Sequence, residues 1–201
     1  MSAKYKLVCP QVCGLVGSCK LVFALAGIDC DIERIPPEEW KKQKFSGRFP
    51  FQAMPILEFD GKTLAQSRAI ARYIAKENGL AGKDNLEQAY ADSIVDSIYD
   101  VVEHVKVWAH EKDPEKKKAV ADNIAKNVFP PACSNLERML VNNNGGDGFF
   151  VGDGLTYADT TFLSISERWK KVDPEVLKNF PKLTALAERL KAMPVIAECL
   201  K

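Results

Sequence analysis

The chain reads as an α/β domain of order βαβαββα followed by an all-α helical bundle, and three observations predict it. Residues 1–80 interleave short apolar or alternating runs with segments of helical period. Two of those runs are joined by Asp60-Gly61, a tight-hairpin signal. Beyond Lys83 the apolar residues recur at three- or four-residue spacing almost throughout.

Tyr5-Lys6-Leu7-Val8-Cys9 alternates as a short strand, and Leu15 to Ala26 is a mostly apolar helix closed by Gly27. Cys30 to Ile35 is a second strand with acidic residues on one face. Pro36-Pro37-Glu38-Glu39-Trp40 then opens a helix, because proline near the start and glutamates in the first turn suit the positive end of the helix dipole. Ile56-Leu57-Glu58-Phe59, Asp60-Gly61 and Lys62-Thr63-Leu64 form the hairpin. A helix follows from about Ser67 to Lys76, with Ile70, Tyr73 and Ile74 on one face. This order is that of a compact thioredoxin-like unit. Asn78 to Lys83 is a turn-rich linker, so the expected domains are residues 1–80 and 84–201.

In the second half, Leu86, Tyr90, Ile94, Ile98, Val101, Val105 and Trp108 mark one long amphipathic helix. Another starts at Asp113-Pro114 and runs to about Val141, with Pro130-Pro131 expected to break or kink it. Asn142 to Gly148 is a loop by composition. Thr156 and Asp159 have the spacing of a capping box, a folding device and not a catalytic pair.

Lys and Arg number 28 against 27 Asp and Glu, a formal charge of +1, so no global field favours nucleic acid or an acidic membrane surface. No apolar run nears the ~20 residues of a membrane span, and no secretory core follows Met1, so a soluble cytoplasmic protein is expected. The six cysteines are then expected to be reduced thiols. His104 and His110 are the only histidines and no second cysteine pair stands at zinc spacing, so no metal is expected.

Three segments carry candidate chemistry. A cis Met54-Pro55 bond would turn the Met54 backbone N–H and C=O outward, ready to pair with an extended peptide. Gln66-Ser67 begins a helix, where unpaired N–H groups and a hydroxyl suit a carboxylate. Trp40 and Lys44, four apart on one helical face, offer a ring N–H and a cation to a second carboxylate. Each segment alone has a bland alternative: a turn proline, a serine cap, a packed indole beside a solvated lysine. A peptide with two carboxylate ends and one strand-like residue between them satisfies all three together, and glutathione is such a peptide.

Pro50-Phe51-Gln52-Ala53-Met54-Pro55-Ile56-Leu57-Glu58, followed by Asp60 to Tyr73 with its Gln66-Ser67-Arg68-Ala69-Ile70 core, resembles the cytosolic glutathione transferases, most closely the sigma class and its nematode relatives. The likeness continues through Gly79 to Gly82, Asp92 to Asp96, Val151-Gly152-Asp153, Thr156 to Asp159, Phe180 to Leu183 and Ala192-Met193-Pro194. The resemblance implies a glutathione-binding N-terminal domain, a helical C-terminal domain lining a pocket for a small hydrophobic electrophile, and a homodimer. Carried over by position, Trp40, Lys44, Gln52, Met54, Pro55, Gln66 and Ser67 hold glutathione, and Asp100 reaches the glutathione of the partner subunit. The electrophile pocket is expected from Gln11–Leu15 and from helix faces near Tyr99, His104, Val107 and Trp108. Between Trp40 and Pro55 the chain is longer than many sigma-class relatives, around Lys44 to Arg48.

The resemblance fails at one position that governs mechanism. Relatives place a tyrosine at the end of the first strand, and its hydroxyl donates to the glutathione sulfur, favouring the thiolate. That position is Cys9 here, and the usual arginine positions are Cys13 and Leu15. A thiol is a weak donor, and Cys9 as a thiolate would repel a second thiolate. Cys13 aligns with the cysteine or serine that other classes carry at the start of the first helix, where the dipole lowers a thiol pKa. Three readings follow: conjugation of glutathione to electrophiles with Cys13, solvent or backbone donors assisting the sulfur; a mixed disulfide of Cys9 or Cys13 with glutathione, giving thiol-transferase or peroxide chemistry; and a degenerate member that binds ligands or serves structurally, as S-crystallins do.

Overall fold

A computed structural model describes residues 4–11 and 16–200. The chain divides into two compact units, one taking the chain up to Leu80 together with the segment from Val195 onward, the other Ala81–Pro194.

In the first unit β1 (Tyr5–Pro10), α1 (Gly17–Leu25), β2 (Cys30–Ile35), α2 (Pro37–Gln43), β3 (Ile56–Phe59), β4 (Lys62–Ala65) and α3 (Ser67–Glu77) follow in the expected βαβαββα order. The sheet order is β2-β1-β3-β4, with β1 and β2 parallel and the other two pairs antiparallel. Asp60 and Gly61 both have positive φ, 46° and 71°, the geometry that lets a two-residue turn follow the twist of β3 and β4. The described part of α1 begins at Gly17, and Leu15, where the sequence pattern starts the helix, lies outside the described residues.

Strand alternation divides the core of this unit into two faces. Tyr5, Leu7 and Cys9 share one face, where Tyr5 packs on Phe23 of α1 and Phe59 stacks on Tyr73 of α3. Val8, Ile35, Phe49, Ile56 and Ala65 form the cluster on the other face, and Trp40 and Met54 pack against it.

The long α2–β3 connection is tied down by charge. Arg48 donates to both carboxylate oxygens of Glu33 at 2.8 Å and to those of Glu58 at 2.8 and 3.0 Å, while Lys6 pairs with Glu33 at 2.7 Å. One planar guanidinium thus bridges β2 and β3 across β1, and the neighbouring Phe49 ring sits in the core. The acidic face of β2 read from the sequence is therefore an anchor for this connection.

The second unit is helical: α4 (Asn85–His110), α5 (Pro114–Asn123), α6 (Phe129–Asn142), α7 (Tyr157–Trp169) and α8 (Pro181–Lys191). The final helix, α9 (Pro194–Cys199), belongs from Val195 onward to the first unit. Asp84 and Asp113 cap α4 and α5, each accepting two backbone N–H bonds. The proline effect expected near Pro130-Pro131 is a change of helical register. A π-helical turn, Ile124–Val128, separates α5 from α6, and both prolines fall in the first turn of α6, where a missing N–H costs least. The Asn142–Gly148 loop contains a short 3-10 turn, Asn144–Gly146.

The capping box at α7 is present, and Asp159 extends it. This fully buried carboxylate accepts from Thr156 N at 2.8 Å, Thr156 Oγ1 at 3.0 Å and Phe150 N at 2.9 Å, fixing the loop before α7. Burial raises its pKa to about 6 despite those bonds. The folded state therefore holds a proton that the unfolded chain releases between 3.8 and about 6, and this contribution to stability fades as pH rises through that window.

Two outcomes are expected. Asp159→Ala loses about 2–3 kcal/mol in urea unfolding, because three donors lose their acceptor, and Asp159→Asn flattens the pH 4–6 trend. Arg48→Met costs about 2 kcal/mol near neutral pH. Arg48 holds Glu33 at about 2 against 4.5, so wild-type stability from this pair is present above 4.5 and lost as pH falls toward 2. The Arg48→Met difference should shrink over that acid range in pH-resolved melts.

Candidate active site

Strand register gathers the sequence-predicted residues of the first unit at one end of its sheet. Ile56 pairs with Val8 on one side and Ala65 on the other, so Met54-Pro55 before β3, Gln66-Ser67 after β4 and Cys9-Pro10 at the end of β1 converge. The parallel β1–β2 pair ends with Pro10 opposite Ile35, which delivers α2 to the same end. The Met54-Pro55 peptide is cis, and Pro55 is buried.

A cavity of about 490 Å³ opens there, lined by Pro10, Gln11, Ile35, Pro37, Trp40, Lys44, Gln52, Ala53 and Met54. Its size falls in the ~300–1,000 Å³ range of small-molecule sites. Trp40 stands edge-on to Phe49 with ring centroids 4.9 Å apart, so a core contact fixes one wall. Gln52, at φ 50°, donates its backbone N–H to Phe49 O at 2.9 Å, folding the segment before Met54 into a turn. Gln11 is held on both sides, its N–H on Ile35 O at 3.1 Å and its carbonyl accepting from Arg34 at 3.2 Å.

The lysines of this segment differ in charge pairing. Lys41 and Lys42 are matched by Glu38 and Glu39 one turn earlier. Lys44 has no ion pair among the described residues, and its Nζ lies 5.5 Å from the Phe45 ring centroid. It is therefore the cation at the cavity edge whose charge is not already neutralised.

The start of α3 is a second centre of positive potential. Gln66 is the N-cap at φ 75°, no side chain caps the helix, and no acidic residue occupies its first turn. The contrast with the aspartate-capped α4 and α5 is a difference in sequence, since the first turn of α3 carries no acidic residue of its own. Ser67 is buried, and its carbonyl accepts from the Cys19 thiol at 3.3 Å, which secures the helix start against α1. Gln66 and Ser67 lie at the same sheet end as the cavity but are not among its lining residues.

Neither Cys9 nor Asp100 is among the lining residues of this cavity. Cys9 is 0% exposed, alternates onto the α1/α3 face and does not line the cavity. Cys13 lies outside the described residues. Asp100 is exposed on α4 in the second unit, at a separate cavity of about 410 Å³ shared with His104, Asn127 and Asn135. No group of three or more metal-ligating side chains occurs among the described residues. Pro10, Ile35 and Pro37 were not expected as site residues, and strand register brings them to the cavity wall; Gln11, expected in the electrophile pocket through the resemblance, lines this cavity as well.

Comparison with known proteins identifies the family. Residues 12–76 match the glutathione S-transferase N-terminal domain, and residues 99–201 the glutathione S-transferase C-terminal domain. The hematopoietic prostaglandin D synthase of Gallus gallus is 38% identical over 193 residues, covering 96% of this chain and 93% of that protein. S-crystallin 4 of Enteroctopus dofleini is 33% identical over 197 residues, covering 91% and 89%. Among solved structures, monomeric Na-GST-3, a glutathione S-transferase from Necator americanus, is similar with a TM-score of 0.83 at 32% identity, covering 98% of this chain and 95% of that one. With both domains matched and relatives above 30% identity along nearly its whole length, the chain belongs to the glutathione S-transferase family.

Proposed function

We propose that the protein holds glutathione along the Met54-Pro55 end of the sheet and conjugates it to small hydrophobic electrophiles, with an atypical means of activating the thiol. The observation that carries this reading is the placement of Lys44 at one edge of a peptide-sized cavity and of the uncapped α3 N-terminus at the same sheet end, with the Met54 backbone between. One glutathione carboxylate pairs with Lys44 beside Trp40, the other with the α3 N-terminus at Gln66 and Ser67. The Gln52 to Pro55 edge holds the residue between them. The family's use of glutathione as co-substrate supports the same assignment.

In the reaction, the glutathione thiol gives its proton to solvent and the thiolate sulfur bonds to an electrophilic carbon. An aromatic halide then releases its halide ion; an enone instead takes up a proton at the carbon beside its carbonyl. The chain's part is to hold the peptide and lower the cost of the thiolate. The family's activating tyrosine position is Cys9, so we assign that part to donors other than a phenol, including Cys13 and solvent. Domains divided near residues 80–84, a homodimer in which Asp100 meets the partner's glutathione, and a cytoplasmic location complete the proposal. Exposure of Asp100 is consistent with a role outside its own unit.

A second reading, a glutathione- or ligand-binding protein without turnover, is favoured by the S-crystallin similarity. The redox reading draws no support from Cys9, whose side chain has no exposed surface.

Calorimetry should detect glutathione binding to the wild type at millimolar ligand or below, and Lys44→Met should weaken it about tenfold or more with an unchanged melting temperature. Absence of binding by folded wild-type protein overturns the assignment. Conjugation of a generic aromatic halide should rise with pH toward an apparent pKa below the value of about 8.5 that an unassisted thiol has. Cys9→Ala should leave both that apparent pKa and the rate unchanged, because the Cys9 side chain has no exposed surface and does not line the cavity. Binding without turnover in both forms selects the second reading. Light scattering at micromolar protein decides between dimer and monomer.

A further inference from the structure

The cavity at the sheet end is larger than the part of glutathione assigned to it. Gln66 and Ser67 are not among its lining residues, so the γ-glutamyl end lies outside it, and only the cysteine and the terminal glycine occupy the space. A volume of about 490 Å³ is that of a site for a drug-sized molecule, which two small residues do not fill. Every residue that lines it belongs to the first unit.

The surplus space has apolar walls beside the pair that takes the terminal carboxylate. α2 opens at Pro37, and the Lys44 N–H donates to Trp40 O at 2.9 Å, which carries the helical turn as far as Lys44. Pro37, Trp40 and Lys44 thus follow at three- and four-residue spacing on one helical face. Ile35, at the end of β2, lines the same space. With Lys44 on the carboxylate, Pro37 and Trp40 stand next to the terminal residue, and glycine has no side chain to set against them. The walls are also fixed. Trp40 is held edge-on to Phe49 and packs on the cluster that contains Ile35, while Gln11 is tied to Ile35 O and to Arg34. The space is therefore preformed, and the side chains of Ile35 and Pro37 offer no hydrogen bond to water in it. Displacing such water with an apolar group is favourable.

We propose that the site takes γ-glutamylcysteinyl peptides with an apolar terminal residue in preference to glutathione itself, the added side chain lying against Ile35, Pro37 and Trp40. This inference rests on the glutathione reading, because it takes from that reading the direction in which the peptide lies.

The test is calorimetry on the full chain with three reduced peptides, glutathione and its analogues carrying valine or phenylalanine in place of glycine. No electrophile is present, so any preference comes from the terminal residue. Affinity in the wild type should rise in the order glycine, valine, phenylalanine, with the phenylalanine peptide bound about tenfold more tightly than glutathione. Pro37→Ser stands at a helix start where proline is favoured and not required, and it should cut that ratio about threefold or more. A melting curve reports that this variant is folded, and where it is not, the wild-type series decides alone. Equal affinity along the series, weaker binding of the larger peptides, or an unchanged ratio in folded Pro37→Ser overturns the proposal while glutathione binding stands. Failure of all three peptides to bind folded wild-type protein is the separate result that removes the glutathione reading beneath it.

Discussion

The register of β3 is the constraint on which the site depends. Ile56 stands in register between Val8 and Ala65, and that single alignment determines which residues flank the sheet end. A slip of one residue would turn Ile56 out of the cluster it shares with Val8, Ile35, Phe49 and Ala65, and would carry Met54 away from Trp40. The apolar cluster under the cavity and the polar edge above it are therefore one structure seen from two sides. The cluster resists slippage because burial of its side chains opposes any other pairing.

Charge pairing acts on top of this framework. With a net charge of only +1, the molecule has no long-range field to concentrate an anionic ligand, so recognition falls to individual groups. Most basic side chains near the sheet are neutralised, Lys6 and Arg48 by Glu33 and Glu58, Lys41 and Lys42 by their helical neighbours. Against that background Lys44 stands at the cavity edge with no ion pair among the described residues. The Arg48 bridge has a further consequence. It holds the extended α2–β3 connection to the sheet, so extra chain length in that segment does not free the Gln52 to Met54 edge.

Cys9 illustrates how burial limits chemical inference from residue type. As a cysteine at the end of β1 it invites a redox role, yet alternation along the strand turns it toward α1 and α3, and it has no exposed surface. A thiol so placed behaves as a small apolar side chain. Tertiary placement, and not the identity of the residue, separates a packing cysteine from a reactive one.

Local patterns determined much by themselves. Period-two and helical spacing marked every strand and most helices of the first unit, Asp60-Gly61 specified the hairpin, and Thr156 with Asp159 specified the start of α7, because these signals act over a few residues and need no distant partner. The paired motifs at Trp40/Lys44, Met54-Pro55 and Gln66-Ser67 were readable for the same reason. What only the tertiary structure decided involves residues far apart in the chain. The Arg48 bridge to Glu33 and Glu58, the walls contributed by Pro10, Ile35 and Pro37, and the side to which Cys9 points all depend on which groups meet across strands and helices. A linear pattern records how often apolar and polar residues recur. It does not record which of those residues meet once the strands and helices have packed.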